Sequence, residues 1–186
     1  MDNPATDVRR VVRELCCPED ANEMLAAVDK YFTEDATFVY PLLNTPPAAG
    51  RDGVKAAYKM LRVLSYGQRF DFHAVAFDRI TSDNKGVERM KGFLDCTEHL
   101  KFSFIPLPDR VNPTFHLRFL TRVDLVKGSD DKWRIEKQED SLPSDYASTG
   151  LHVLPFDREI SNLVKWCMGS ATLVVGGTLA KFNLFN

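Results

Sequence analysis

The first part of the chain has the hydrophobic period of α-helices. In three stretches, apolar residues recur at positions i, i+3, i+4 and i+7, which places them on one face of a helix. The first stretch follows a capping pair, Asn3-Pro4, the second begins at Pro18-Glu19-Asp20 with acidic residues in its first turn, and the third follows residues 50–53. The three apolar faces consist of Val8, Val11, Val12, Leu15 and Cys16; of Met24, Leu25, Val28, Tyr31 and Phe32; and of Val54, Ala57, Tyr58, Leu61 and Leu64. We therefore predict three N-terminal helices.

After the third helix the hydrophobic period changes to two, which is typical of strands. The alternation predicts strands over residues 69–80, 87–104, 114–126 and 132–140, after a shorter strand over 36–41. Within the first long strand it places Phe70, Phe72, Ala74 and Ala76 on one face. Because helices come first and a meander of strands follows, we predict an α+β fold with helices covering one face of a bent sheet.

Two short motifs resemble those of the NTF2-like superfamily, which includes SnoaL-type cyclases, ketosteroid isomerases and scytalone dehydratase. Residues 32–41, FTEDATFVYP, are similar to its helix-to-strand pattern F-x-x-D-A-x-x-x-x-P, and residues 50–54 are similar to its G-x-x-x-I/V pattern before the third helix. The last strand, 132–140, fits as well, so the resemblance covers about residues 7–142. A hydrophobic C-terminal extension suggests the fungal SigF-like group.

The resemblance implies a cone in which three helices pack on one strongly bent antiparallel sheet, with an apolar pocket inside. It also implies a homodimer formed through the outer face of the sheet. Because a slip of one residue would expose every phenylalanine, the apolar side of each strand must face the helices. The predicted ligand-binding residues are Tyr58, Phe70, Phe72, Met90, Leu94, Phe115, Leu117, Phe119 and Thr121. By resemblance, Asp140 or Gln138 lies near the mouth of the pocket.

Three residues are candidates for acid–base catalysis: Tyr40, Glu98 and His99. Glu98 shares the strand phase of the apolar residues, and burial would raise its pKa into the range of a general acid or base. Histidine titrates near neutrality, and a bulge could turn His99 inward, whereas the alternation turns His73 and His116 outward. The alternatives are a solvent-exposed glutamate, a core tyrosine and a surface histidine.

The steroid-isomerase mechanism requires a carboxylate before the proline of the first strand, a tyrosine on helix one and a neutral acid. Here Tyr40 precedes Pro41, the tyrosine position falls among apolar residues near Val11, and the acid position falls near Thr121. All three parts differ, so the sequence excludes that mechanism.

Composition excludes several classes of function. The chain has 24 basic and 26 acidic residues, a net charge of −2, which excludes a strongly basic nucleic-acid surface. The four cysteines, Cys16, Cys17, Cys96 and Cys167, have no zinc-site spacing. With no secretory leader in the sequence, we expect free thiols and a cytoplasmic location. We expect no metal site and no cofactor, since phosphate-binding loops are also missing.

Residues 166–180 contain no charged residue and lie between Lys165 and Lys181. This run is shorter than the roughly 20 residues of a membrane-spanning helix. It either packs on its own or a partner's domain, or makes a peripheral membrane contact through residues 160–186. We therefore divide the chain into an NTF2-like domain, 1–145, and a hydrophobic helical extension, 146–186.

Three functions fit these observations. The first is binding of a small hydrophobic molecule in the pocket. The second is a cofactor-independent lyase, cyclase or isomerase that uses Tyr40, Glu98 and His99, and the third is a dimeric protein-interaction module. An enzyme should place at least two titratable side chains within the cavity.

Overall fold

The computed structural model describes residues 1–40 and 43–142, together with residues 160, 163, 166, 167 and 170. The three helices are α1 (Pro4–Cys16), α2 (Ala21–Tyr31) and α3 (Gly50–Leu64). The strands are β1 (Phe32–Tyr40), β2 (Leu43–Asn44), β3 (Ser65–Phe77), β4 (Thr81–Ser82), β5 (Glu88–Phe102), β6 (Phe115–Lys127) and β7 (Trp133–Ser141). Three helices packed on a curved sheet confirm the predicted α+β fold.

Local chemistry fixes where the helices begin. The side chain of Asn3 accepts a hydrogen bond from the Ala5 amide of α1 at 3.1 Å, and that of Asp20 from the Asn22 amide of α2 at 2.8 Å. Helix α3 begins at Gly50, where φ is +49° and a Cβ atom would lie 2.3 Å from the carbonyl oxygen of Glu34. Only glycine permits this close approach, which brings the start of α3 against β1.

The strands follow the order β2-β1-β7-β6-β5-β3, with β4 beside β5. The long strands β3, β5, β6 and β7 form an antiparallel meander. However, β1 pairs with β7 in parallel. The sheet is therefore mixed, whereas we predicted a wholly antiparallel sheet. Along the chain, helix α3 and strands β3 to β6 lie between β1 and β7, and a connection of that length permits a parallel pair.

Strand β3 contains a bulge that corrects one prediction. The register of β3 against β5 shifts between Phe72 and Ala74. The extra residue reverses the side-chain phase beyond this point. Val75 and Phe77 therefore pack against the core, while Ala74 and Ala76, which we expected beside Phe72, are exposed.

The core lies between the helices and the inner face of the sheet, meaning the face that the helices cover. One apolar cluster joins the three helices to β1 and to the sheet, and a smaller one is built from Cys96, Leu100, Leu117 and Phe119. Leu142, the last residue before the undescribed part of the chain, packs against the smaller cluster. The chain therefore leaves the described domain beside this cluster.

Most of the predicted extension lies outside the described residues. Residues 160, 163, 166, 167 and 170 are helical, and Ile160, Leu163 and Trp166 are exposed. No helix in the described part is both long and apolar enough to cross a membrane. The division at residue 145, the membrane contact through 160–186 and the cytoplasmic location stay predictions.

Candidate functional site

A cavity of about 220 Å³ lies between the helices and the inner face of the sheet. Its volume is just below the roughly 300–1,000 Å³ of common small-molecule sites, which favours a small ligand. Most of its lining is apolar and comes from α1, α3 and the long strands. Met60 and Leu64 line the cavity and are also exposed to solvent, so they mark its opening at the end of α3.

The structure brings most of the predicted ligand-binding residues to this cavity. Seven of them line it: Tyr58, Phe70, Leu94, Leu117, Phe119, Thr121 and Asp140. Phe72, Met90 and Phe115 do not. Phe72 lies beneath the guanidinium of Arg13, Met90 is buried in the larger cluster, and Phe115 packs on Phe102. Strand phase predicts which residues lie on the inner face of the sheet. It does not predict how far the cavity extends along each strand.

Glu98 is a buried carboxyl group in the cavity wall. It lies on β5 between Phe70 of β3 and Leu117 of β6, and it is only 5% exposed. Its Oε1 atom has no hydrogen-bond partner among the described residues. Burial, with a smaller contribution from the charge of Asp140, raises the pKa of Glu98 to about 8. At neutral pH it is therefore mostly a carboxylic acid that can donate a proton or a hydrogen bond.

Asp140 is a second carboxyl group, held by a short chain of hydrogen bonds. It lies on β7 opposite Thr121, whose hydroxyl donates to its Oδ1 at 2.7 Å. The Gln138 amide donates to Oδ2 at 3.1 Å, and Tyr58 fixes that amide by donating to Gln138 Oε1 at 3.0 Å. Burial raises the pKa of Asp140 to about 6, against the lowering effect of the two hydrogen bonds.

The other titratable groups of the cavity stay protonated at neutral pH. Burial raises the pKa of the Tyr40 and Tyr58 phenols, so both are neutral donors. Burial also raises the pKa of the Cys96 thiol to about 12, and that of Cys16 well above its usual value. Because a thiolate is the nucleophilic form, these two cysteines are inert. The cysteines are free thiols.

His99 does not share the site with Tyr40 and Glu98, which corrects that part of the prediction. Strand β5 pairs with β6 without a register shift, so adjacent residues point to opposite faces and His99 lies on the outer face. There its Nε2 donates to Asp71 at 2.8 Å, and its ring meets that of His116 at a centroid distance of 4.7 Å. His73 and His116 are exposed. The homodimer through this outer face stays a prediction.

Two features of the cavity had not been predicted: the linking role of Gln138, and the opening at Met60 and Leu64. The spacing of Gln138 could have identified it. Residues i and i+2 of a strand point to the same face, so Gln138 and Asp140 lie on one face of β7. Among the described residues, no group of three or more His, Cys, Asp or Glu side chains is placed to hold a metal ion.

The domain is matched over its whole length by one family model. A model of the SigF NTF2-like domain covers residues 1–184. The chain belongs to this family. The resemblance seen in residues 32–41 and 50–54 is thereby confirmed, and the fungal origin stays a prediction. No curated protein sequence matches this SigF NTF2-like chain.

Solved structures share the fold of this SigF NTF2-like domain at low sequence identity. An NTF2-like superfamily protein from Salmonella enterica is 12% identical, with a TM-score of 0.57 over 75% of this chain and 87% of its own. ActVI-ORFA from Streptomyces coelicolor is 15% identical, with a TM-score of 0.50 over 74% and 92%. A Novosphingobium aromaticivorans protein, provisionally described as a scytalone dehydratase, is 15% identical, with a TM-score of 0.50 over 74% and 83%.

Proposed function

We propose that this SigF NTF2-like protein is a cofactor-independent enzyme that moves a proton on a small, mostly apolar molecule bound in the cavity. The observation that carries the proposal is the pair of carboxyl groups, the buried Glu98 and the partly buried Asp140, in a mostly apolar wall. Burying a carboxyl group costs folding free energy, and the unpartnered Oε1 of Glu98 adds to that cost. A substrate oxygen beside Glu98 would give the Oε1 atom a hydrogen-bond partner.

The order of the two pKa values supports a division of roles. Between about pH 6 and pH 8, Asp140 is mostly ionised while Glu98 still holds its proton. The Asp140 carboxylate then accepts a proton from a carbon next to a carbonyl group. Glu98 donates a hydrogen bond to the carbonyl oxygen, on which negative charge develops. Return of the proton to a different carbon gives an isomer, and the same acid and base serve elimination or ring closure.

Neither carboxyl group stands before Pro41, so this arrangement differs from the steroid-isomerase pattern that the sequence excludes. Tyr40 lines the same cavity and is a second neutral donor for the developing negative charge. His99 has no part in the reaction, because it lies on the other face of the sheet.

Ligand binding without turnover is the second candidate, and one observation favours it. Asp140 already accepts hydrogen bonds from Thr121 and Gln138, as a purely structural carboxylate would. In that case Glu98 supplies one hydrogen bond to an apolar ligand and no proton moves. The protein-interaction module has no comparable support within the described residues, since they enclose a cavity.

The experiment that tests the proposal uses 2-tetralone, an apolar bicyclic ketone, in deuterated buffer. We expect the protein to accelerate exchange of the hydrogens next to the carbonyl, as followed by NMR. The rate should be bell-shaped in pH, falling about tenfold per pH unit below pH 6 and above pH 8. Saturation transfer from the protein to 2-tetralone without faster exchange would identify a binding protein. Neither binding nor exchange would reject both candidates.

A further inference from the structure

Exposed apolar side chains surround the opening of the cavity. We call them the mouth patch: Met60, Val63 and Leu64 at the end of α3, with Phe104, Leu107 and Val111 in the loop between β5 and β6. Val63 is 73% exposed and Phe104 is 66% exposed. Exposed apolar side chains grouped beside a pocket mark an interaction surface.

Hydrogen bonds hold the two halves of the mouth patch together. The amide of Ser103 donates to the carbonyl oxygen of Leu64 at 2.9 Å, which fastens the loop to the end of α3. The Asn112 side chain donates to the Tyr66 hydroxyl at 2.9 Å and to the Phe102 carbonyl oxygen at 3.1 Å. Because Phe102 lines the cavity and its ring lies 5.0 Å from that of Phe104, the patch is continuous with the cavity wall.

The two segments that carry the mouth patch are basic, although the whole chain is acidic. Residues 59–70 and 101–114 contain five basic residues and one acidic residue, a net charge of +4 within a chain of net charge −2. The basic residues are Lys59, Arg62, Arg69, Lys101 and Arg110, and the acidic one is Asp109. Asp109 accepts a hydrogen bond from Lys101, and Lys59, Arg69 and Arg110 are exposed.

We propose that the mouth patch docks on an anionic lipid bilayer surface. The apolar side chains of the patch enter the interface, and the surrounding basic side chains reach the lipid phosphates. The opening of the cavity then faces the membrane, so an apolar ligand passes between bilayer and cavity without crossing water. This last step rests on the proposed function, whereas the docking does not.

Charge argues against two other occupants of the mouth patch. A second copy docked through the same patch would bring together two surfaces of net charge +4. The chain's own residues 166–180 are uncharged and flanked by Lys165 and Lys181, so they offer no negative charge to the basic residues of segments 59–70 and 101–114. An anionic lipid surface supplies both the apolar and the negative component.

The test is co-sedimentation of the full-length protein with phosphatidylcholine vesicles, with and without phosphatidylserine. We expect binding that needs phosphatidylserine and weakens as salt is raised. The double variant Val63→Ser/Phe104→Ser should lower the vesicle-bound fraction about tenfold. Its matched control is Phe93→Ser/Leu120→Ser, which removes two exposed apolar side chains from the outer face, 44% and 47% exposed, and should bind as the wild type does.

Several results would overturn the docking. Wild-type protein that stays in the supernatant would reject it, as would unchanged binding by the Val63→Ser/Phe104→Ser variant. Loss of binding by Trp166→Ser alone, with the mouth-patch variant unaffected, would place the contact in the C-terminal part. A dimer in light scattering that the mouth-patch variant dissociates, without vesicle binding, would make the patch a subunit interface. The Glu98→Gln variant should still bind vesicles when its tetralone exchange is lost, which separates the two proposals.

Discussion

The two faces of β5 carry two clusters of titratable side chains in opposite environments. On the inner face, Glu98 shares the apolar cavity with Asp140, and burial raises the pKa values of both carboxyl groups toward neutrality. On the outer face, the next residue, His99, donates to Asp71, whose side chain is 62% exposed. Water reaches Asp71 and screens its charge, although the His99 side chain is only 12% exposed.

Environment, more than residue type, selects the groups able to exchange protons near pH 7. Histidine is the usual choice in a sequence because it titrates near neutrality without help. Here the geometry favours two carboxyl groups, since each loses hydration in the cavity and has few donors to compensate. The predictions below test whether the two faces differ in function as they do in environment.

The largest expected effect separates the faces by activity. Asp140→Asn removes the base, so exchange of 2-tetralone should fall by about 10²- to 10⁴-fold. The matched control on the outer face, His99→Ala, should leave the rate within about twofold, because His99 does not line the cavity. Rates are read by NMR in deuterated buffer. Similar losses in both variants would contradict the division between the faces.

The next effect concerns stability. In the folded protein Glu98 keeps its proton up to about pH 8, whereas in the unfolded chain it loses it near its ordinary 4.5. The unfolded state is therefore favoured as pH rises through this window, and the wild type loses stability. Glu98→Gln removes the titration, so its stability relative to the wild type should rise by on the order of 3 kcal/mol between pH 5 and pH 8.

Urea unfolding at the two pH values measures this difference. Asp140 titrates in both proteins. Subtracting the free energy of unfolding of the wild type from that of the variant at each pH therefore gives the contribution of Glu98. Parallel pH dependence of the two proteins would mean that Glu98 is already ionised and hydrated in the folded state.

The smallest effect belongs to the outer face. Asp71→Asn removes the carboxylate that accepts from His99, but this carboxylate is largely exposed to solvent. We expect the free energy of unfolding to fall by less than about 1 kcal/mol, with no change in tetralone exchange. Thermal unfolding with a parallel activity assay checks both. A loss of several kcal/mol would show that the outer cluster is as strongly coupled to the fold as the inner one.

The sequence was most informative where structure depends on local periodicity. The apolar faces of the three helices and the inward phase of Leu94, Cys96 and Glu98 follow from spacing alone. The capping of α1 by Asn3 is equally local. These features required no knowledge of which strands pair.

Features that depend on distant parts of the chain could not be predicted in the same way. The parallel pairing of β1 with β7 joins two ends of the domain, and the bulge after Phe72 appears only in the register against β5. The extent of the cavity, which leaves out Phe72 and Phe115, depends on how α1 and α3 lie over the sheet. His99 was misplaced because that bulge is in β3 and not in β5.

The hydrogen-bonded chain from Tyr58 through Gln138 to Asp140 joins helix α3 to strand β7. Helix α3 also ends in the mouth patch. Anything that displaces α3 along the sheet therefore lengthens or shortens the amide contact that lowers the proton affinity of Asp140. By thermodynamic reciprocity, protonation of Asp140 must feed back on the position of α3 with the same coupling energy. Docking at the mouth patch and protonation of Asp140 would thus be linked through the position of α3.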